Sequence, residues 1–298
     1  MGHTKSASTF GSIMGAVCLG STAMPTVERT FFALGRAGAR MAIHERAGCG
    51  VPILCIPGLT RNHRDFDGIL QMFPSRPVIR VDLCGRGDSD WDSDPARYTP
   101  AVYLADLTAW LATRAEPQFD VIGTSLGGIL TMGLASQLPQ RLRRLVINDI
   151  GPVIEAAGID AIRARVGEGG PFVNWAEAID EVRAAQLPAH PRETDWPRFA
   201  RALCRARDSQ IVFDYDPAIS QQTRGAEIEP FWPLYQSTIG LAVLIIRGEC
   251  SDLFSPSTLA RMLQLNPVAE ALIVAQTGHA PTLYEPECVA AMGQFLAD

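Results

Sequence analysis

The chain predicts an α/β fold: a mostly parallel, eight-stranded sheet flanked by helices, with a helical segment inserted after the sixth strand. Three observations predict it. Short apolar runs of strand length alternate with longer segments of helical spacing, the pattern that builds a parallel sheet covered on both faces. Glycine and proline punctuate nearly every change of element. The alternation lapses between about residues 153 and 236, then resumes, so that stretch reads as an insertion into one fold and not as a second independent domain.

Taken in order, residues 30–46 read as two short strands joined by a Gly-rich turn at Gly35–Gly38. A buried strand follows at Val51–Ile56 and stops at Pro57-Gly58. A helix is expected from Arg64 to Met72, then a strand at Val78–Leu83. Thr99-Pro100 supplies a cap and a first-turn proline for a helix over Ala101–Arg114, whose Val102, Leu104, Leu107 and Leu111 share much of one face. Next come a strand at Phe119–Gly123, a tight turn at Ser125, a helix Gly127–Leu138 and a strand Leu145–Asn148. The insertion is rich in proline and aromatic residues, among them Trp175, Trp196, Phe199, Phe213, Tyr215, Phe231 and Trp232. Beyond it, strands at Ala242–Arg247 and Ala271–Ala275 alternate with helices at Ser257–Leu265 and Pro286–Leu296. The division is therefore a leader over 1–28, a core over 29–152 and 237–298, and the insertion over 153–236.

Composition narrows the function. With 298 residues and 47% apolar side chains, the chain can bury a large core. A net charge of -6 argues against a dedicated nucleic-acid binder. No apolar run reaches the roughly 18 to 20 residues that cross a bilayer. Seven scattered cysteines without a Cys-x-x-Cys pair suit reduced thiols in a cytoplasmic protein better than a disulfide framework or a zinc site. Lys5 is the only lysine, so a Schiff-base lysine, a phosphate-loop lysine or a Ser-Lys dyad is hard to build. The leader is open to three readings: a flexible tail, a signal segment around Phe10–Leu19, or an over-long start with Met24 as the first residue.

The chemistry centres on Gly123-Thr124-Ser125-Leu126-Gly127. A serine between strand and helix is a candidate nucleophile, because the turn exposes its oxygen at the carboxyl edge of a parallel sheet, where ligands bind. Gly123 and Gly127 give the turn its room, and the N–H of Leu126 can stabilise an oxyanion. A Ser/Gly helix cap would produce the same five letters, but the strand-before, helix-after setting is the one catalysis requires. His279, in the loop after Ala271–Ala275, lies at the same sheet edge and is the expected base. Asp252, after Ala242–Arg247, is the preferred orienting carboxylate, with Asp149 and then Glu249 as alternatives. A second oxyanion donor is expected at Leu59, in the Pro57-Gly58-Leu59 turn. Arg61, His63, Trp175 and Trp232 are candidate pocket residues. No metal ligand set is expected, nor any cofactor.

These motifs, Ile56-Pro57-Gly58-Leu59, Asp82-Leu83-Cys84-Gly85-Arg86-Gly87-Asp88-Ser89, Gly123–Gly128, Arg247-Gly248 with Ser251-Asp252, and Gly278-His279, occur in the order seen in the α/β-hydrolase superfamily. The chain resembles its cap-bearing small esterases and lactonases over about residues 30 to 298. The resemblance implies that 153–236 is the cap, placed between the sixth and seventh core strands. It also implies that Arg86 and Asp88 fix the loop beside the pocket. Two departures stand out. Pro57 replaces the usual histidine before the oxyanion glycine, so no histidine is expected to order that loop. Ala280 stands where carbon–carbon bond hydrolases of this group commonly carry tryptophan.

The leading expectation is a serine hydrolase that cleaves a small or medium, partly apolar carboxylic ester through an acyl-enzyme. A lactonase, a carbon–carbon bond hydrolase and a non-catalytic ligand-binding homologue are the alternatives. Ser125 counts against epoxide hydrolases and dehalogenases of this fold, which use an aspartate nucleophile. The expected partner is a small-molecule ester or lactone, with the chain a monomer or homodimer.

Overall fold

The computed structural model describes residues 26–36, 38–186, 194–223 and 228–297. The readings made for the first 25 residues, and the histidine at 190, lie outside them. The structure is a central sheet of eight strands in the order β1-β2-β4-β3-β5-β6-β9-β10. The strands of the sheet are β1 (Val27–Ala33), β2 (Arg40–Arg46), β3 (Ile53–Ile56), β4 (Val78–Asp82), β5 (Phe119–Thr124), β6 (Leu142–Asn148), β9 (Ala242–Gly248) and β10 (Glu270–Val274). β1 and β2, and β2 and β4, pair antiparallel, whereas every pairing from β4 to β10 is parallel. The mostly parallel eight-stranded sheet read from the sequence is therefore the one observed.

Alternation along the strands builds a core on each face. Leu54, Ile56, Val121, Leu145, Ile147, Val243 and Ile245 face one way. They meet Leu107 and Leu111 of α2 (Pro100–Ala112), Leu130 and Leu134 of α3 (Leu126–Gln137), and Leu259 and Met262 of α9 (Pro256–Leu265). Ile53, Cys55, Ile122, Val146, Leu244 and Ile246 face the other, against Ile69 of α1 (Asp67–Met72) and Cys288 and Met292 of α10 (Pro286–Phe295). Because both faces are covered, the central strands are apolar throughout, which is why they read as unbroken runs. α2 starts as expected, with Pro100 in its first turn and the Thr99 side chain accepting from the N–H of Val102.

Between β6 and β9 the chain forms α4 (Ala156–Arg165), α5 (Trp175–Gln186) and α6 (Trp196–Leu203). A hairpin of β7 (Cys204–Arg207) and β8 (Gln210–Phe213) follows, and then the short α7 (Ser220–Thr223) and α8 (Trp232–Gln236). The hairpin was not expected from the sequence. Its strands are four residues each, too short for alternation to show, and its turn uses Asp208 and Ser209 at positive φ. Phe172, Ala178, Val182, Ala200, Leu203, Cys204 and Ile211 make a small separate core here, with Trp175, Phe199 and Phe213 packed on it. Much of the aromatic content of the segment thus serves its own packing.

Among the described cysteines, 55, 84, 204, 250 and 288 carry free thiols, whereas Cys49 is disulfide-bonded, against the expectation of reduced thiols. Burial pushes the Cys55 and Cys204 thiols up to about 12 and Cys84 up to about 11, which keeps them uncharged at neutral pH. Among the described residues no helix is long and apolar enough to cross a membrane.

Candidate active site

Ser125 sits between β5 and α3 with φ 53° and ψ -116°, a conformation that side-chain-bearing residues rarely adopt. The strain is over-determined by its surroundings. A Cβ on Gly127 would lie 2.0 Å from the carbonyl oxygen of Ile56, and one on Gly123 would lie 2.3 Å from that of Gly127. Neither backbone can retreat, so both positions demand glycine. The Ser125 N–H donates to the Asn148 carbonyl at 2.9 Å, tying the turn to the end of β6.

The loop after β10 delivers His279. The N–H of Cys250 donates to the Thr277 carbonyl at 2.8 Å, and the N–H of Gln276 to the Glu249 carboxylate at 2.9 Å, which fastens the loop after β10 to the loop after β9. His279 follows, with its Nε2 2.9 Å from Ser125 Oγ and its Nδ1 2.8 Å from Asp149 Oδ2. Asp149 is acceptor-only when ionised, so the proton belongs on Nδ1 and Nε2 keeps its lone pair for the serine hydroxyl.

The carboxylate on His279 is therefore Asp149, and the expectation of Asp252 is corrected. Asp149 immediately follows β6, is fully buried and takes a positive φ of 54°. Its N–H donates to the Ile246 carbonyl, and its Oδ1 accepts from the Gly248 N–H at 2.8 Å. Its Oδ2 accepts from Ser251 Oγ at 2.8 Å as well as from His279. The loop after β9 thus contributes hydrogen-bond donors, not the carboxylate that meets His279. Asp252, one residue further, is exposed on the wall of the cavity in front of the site.

On the other side of Ser125, a Cβ on Gly58 would come within 3.6 Å of the serine Cβ. The Arg61 N–H donates to the Gly58 carbonyl at 3.2 Å, which fixes the peptide carrying the Leu59 N–H. Buried Arg86 donates from Nε to the Leu59 carbonyl at 2.7 Å and from Nη1 to the Cys84 carbonyl at 2.6 Å. Among the described residues, neither the Leu59 N–H nor the Leu126 N–H donates to a backbone carbonyl in a turn, loop or cap.

His63 does not line the cavity. It closes the same turn from its far end: its N–H donates to Asp82 Oδ1 at 2.7 Å, and its ring Nδ1 lies 2.9 Å from Oδ2. His44 Nε2 reaches the same carboxylate at 3.1 Å, and the two imidazoles stack with centroids 3.6 Å apart. Burial opposes the Asp82 charge, but the hydrogen bonds from His44 and His63 outweigh it and hold the carboxyl well below the usual carboxylate range. Among the described residues, the His63 ring bonds to Asp82 and stacks on His44, with no hydrogen bond to Pro57, Gly58 or Leu59. Asp88 accepts from Arg29 and from Arg205 of β7, each at 2.8 Å, so it joins the inserted segment to the sheet.

Ser125 and His279 open into a cavity of about 430 Å³ lined by Leu59, Arg61, Ile162, Val182, Phe199 and Tyr284, among others. Of the pocket residues expected from the sequence, only Arg61 is on its wall. Trp175 packs beneath Arg201, and Trp232 against Tyr235 and Arg261. Asp65, Arg198 and Tyr284 line it and were not singled out.

A model of the alpha/beta hydrolase family matches residues 53–291, from the start of β3 to beyond His279. The chain belongs to the alpha/beta hydrolase family. Within it, the chain is 29% identical over 272 residues to a 3-hydroxybutyrate-oligomer hydrolase of Cupriavidus necator, covering 86% of this chain and 92% of that one. It is 27% identical over 241 residues to a 2-(acetamidomethylene)succinate hydrolase of Mesorhizobium japonicum, covering 80% and 85%. A crystal structure of an alpha/beta hydrolase from Novosphingobium aromaticivorans superposes with a TM-score of 0.86 at 36% identity, over 92% of this chain and 99% of that one.

Proposed function

We propose that this alpha/beta hydrolase cleaves a small or medium, partly apolar carboxylic ester through an acyl-enzyme. The observation that carries the reading is the unbroken hydrogen-bond chain from Asp149 through His279 to Ser125, opening into a cavity of small-molecule size. Ser125 Oγ attacks the ester carbonyl as its proton passes to His279 Nε2. The oxyanion forms opposite the Leu59 and Leu126 N–H groups, whose positions are set in advance by Arg61, Arg86 and the start of α3. His279 returns the proton to the departing alcohol oxygen. Water, deprotonated by the same imidazole, then releases the acid and regenerates Ser125. Asp149 holds the Nδ1 tautomer and stabilises the imidazolium in each half-reaction. The scheme uses no metal and no organic cofactor.

The segment over 153–236 acts as a cap in this reading, contributing Ile162, Val182 and Phe199 to the cavity wall. The relative named for 3-hydroxybutyrate oligomers supports an ester substrate, because oligomers of a hydroxy acid are joined by ester bonds. Ala280, on the cavity wall beside His279, supports ester over carbon–carbon bond cleavage, since it leaves that position without an indole.

The test is burst release of p-nitrophenol from a p-nitrophenyl ester, together with covalent labelling by a fluorophosphonate, both abolished in Ser125→Ala. Folded wild-type protein that shows neither turnover nor labelling would sink the reading.

A further inference from the structure

Four guanidinium groups line the cavity, and they are held in different ways. Arg61 donates to both carboxylate oxygens of Asp65, at 2.7 and 2.5 Å. Arg64 donates to Asp214 at 2.5 Å and to the carbonyls of Arg201 and Ala202. Arg165 is exposed, with no ring beneath it among the described residues. Arg198, on α6, has its guanidinium carbon 3.5 Å from the centroid of the Tyr284 ring. Arg61 also lies over a ring, that of Phe199 at 4.3 Å, but its N–H edge is already held by Asp65.

The Tyr284 seat is rigid. The Tyr284 hydroxyl accepts the Gly68 N–H at 2.7 Å, and burial raises the phenol above its ordinary range, so the ring stays neutral and fixed. A guanidinium stacked on a ring uses its face and keeps its in-plane N–H edge for a further partner. No carboxylate of the described residues pairs with it. Asp195 is near in sequence, but its side chain caps α6 by accepting the Arg198 N–H at 3.0 Å. The other acids on the wall, Glu168, Glu181 and Asp252, are exposed.

We propose that the cavity takes esters that carry a free carboxylate, and that Arg198 receives this carboxylate while the ester carbonyl lies at Ser125. Monoesters of dicarboxylic acids and short hydroxy-acid oligomers are the substrate class. The proposal rests on the ester-hydrolase reading and adds to it a specificity-determining residue on the cap. A planar in-plane donor edge matches a carboxylate, and such charge-assisted pairs are about twice as strong as neutral ones. Arg198 is solvent-accessible, so the discrimination expected is about tenfold, not thousands.

The experiment compares p-nitrophenyl hydrogen glutarate with p-nitrophenyl valerate, equal in chain length and differing in the terminal carboxylate. Wild-type protein favours the glutarate ester in kcat/KM, and high salt reduces that preference. Arg198→Gln lowers the glutarate-to-valerate ratio about tenfold, mainly through KM for the charged ester, and Arg198→Lys lies between. An unchanged ratio in Arg198→Gln overturns the proposal. If wild-type protein turns over neither ester, the hydrolase reading has failed, and calorimetric titration with glutarate still decides this one. Glutarate binding lost in Arg198→Gln supports it, whereas binding equal in both proteins, or absent from wild type, overturns it.

Discussion

The turn at Ser125 and the seat of its orienting carboxylate lie at the same sheet edge but are held in opposite ways. The turn is one continuous segment, locked by backbone against backbone: Gly127 passes so close to Ile56 that a single methyl would overlap it. The carboxylate seat is assembled from three separate loops. Asp149 comes from the end of β6, Gly248 and Ser251 from the end of β9, and His279 from beyond β10. Side-chain hydrogen bonds, not contiguous backbone, bring them together. A local segment admits one solution, whereas a convergence of loops admits several, and here two aspartates were eligible.

Substitutions should separate the two regions. Ser125→Ala is expected to lower kcat by about four to six orders of magnitude, the largest effect at the site, in steady-state ester hydrolysis. Asp149→Asn should lower kcat about three to four orders, because the imidazole then takes the wrong tautomer, while Asp252→Asn stays within about threefold of wild type. The reverse outcome would return the acid to the β9 loop. Gly127→Ala tests the turn through stability: chemical denaturation should show a loss of about 3 kcal/mol or more, since backbone has no room to yield.

Two smaller effects probe the supports of each region. Asp82→Asn should cost about 2 kcal/mol at neutral pH by weakening the bonds to His63 and His44. The folded-state affinity of Asp82 for protons is depressed, so its contribution is full above the ordinary carboxylate range near 4 and is lost as pH falls through that range towards the lower folded value. Wild-type and variant stabilities, measured against pH, should therefore converge in acid. Ser251→Ala removes one of three donors to Asp149 and should lower kcat about five- to tenfold with KM little changed. A variant indistinguishable from wild type in kcat would show that Gly248 alone orients the acid.

Most of the strand and helix pattern was legible, because buried parallel strands are apolar on both faces and their helices carry caps such as Thr99-Pro100. The β7–β8 hairpin was not, since four-residue strands show too little alternation to register. Ser125, Leu126, His279 and the turn at Leu59 could be placed at one edge from strand ends alone. His63 was misplaced as a pocket residue because its partner, Asp82, is supplied by β4 and no local pattern links the two.

The amino-acid sequence by itself determined the sheet, the strained serine turn and the loop that carries the histidine, because each follows from the periodicity and turn chemistry of a single segment. Only the tertiary structure decided which aspartate meets the imidazole. β6 and β9 are adjacent, with Asn148 beside Ile246, so Asp149 and Asp252 both leave the sheet at neighbouring points. The choice between them rests on how each loop turns: Asp149 is driven inward by its positive φ and its bond to Ile246, and Asp252 is carried outward past Ser251. That is a property of loop paths in three dimensions, and spacing along the chain does not encode it.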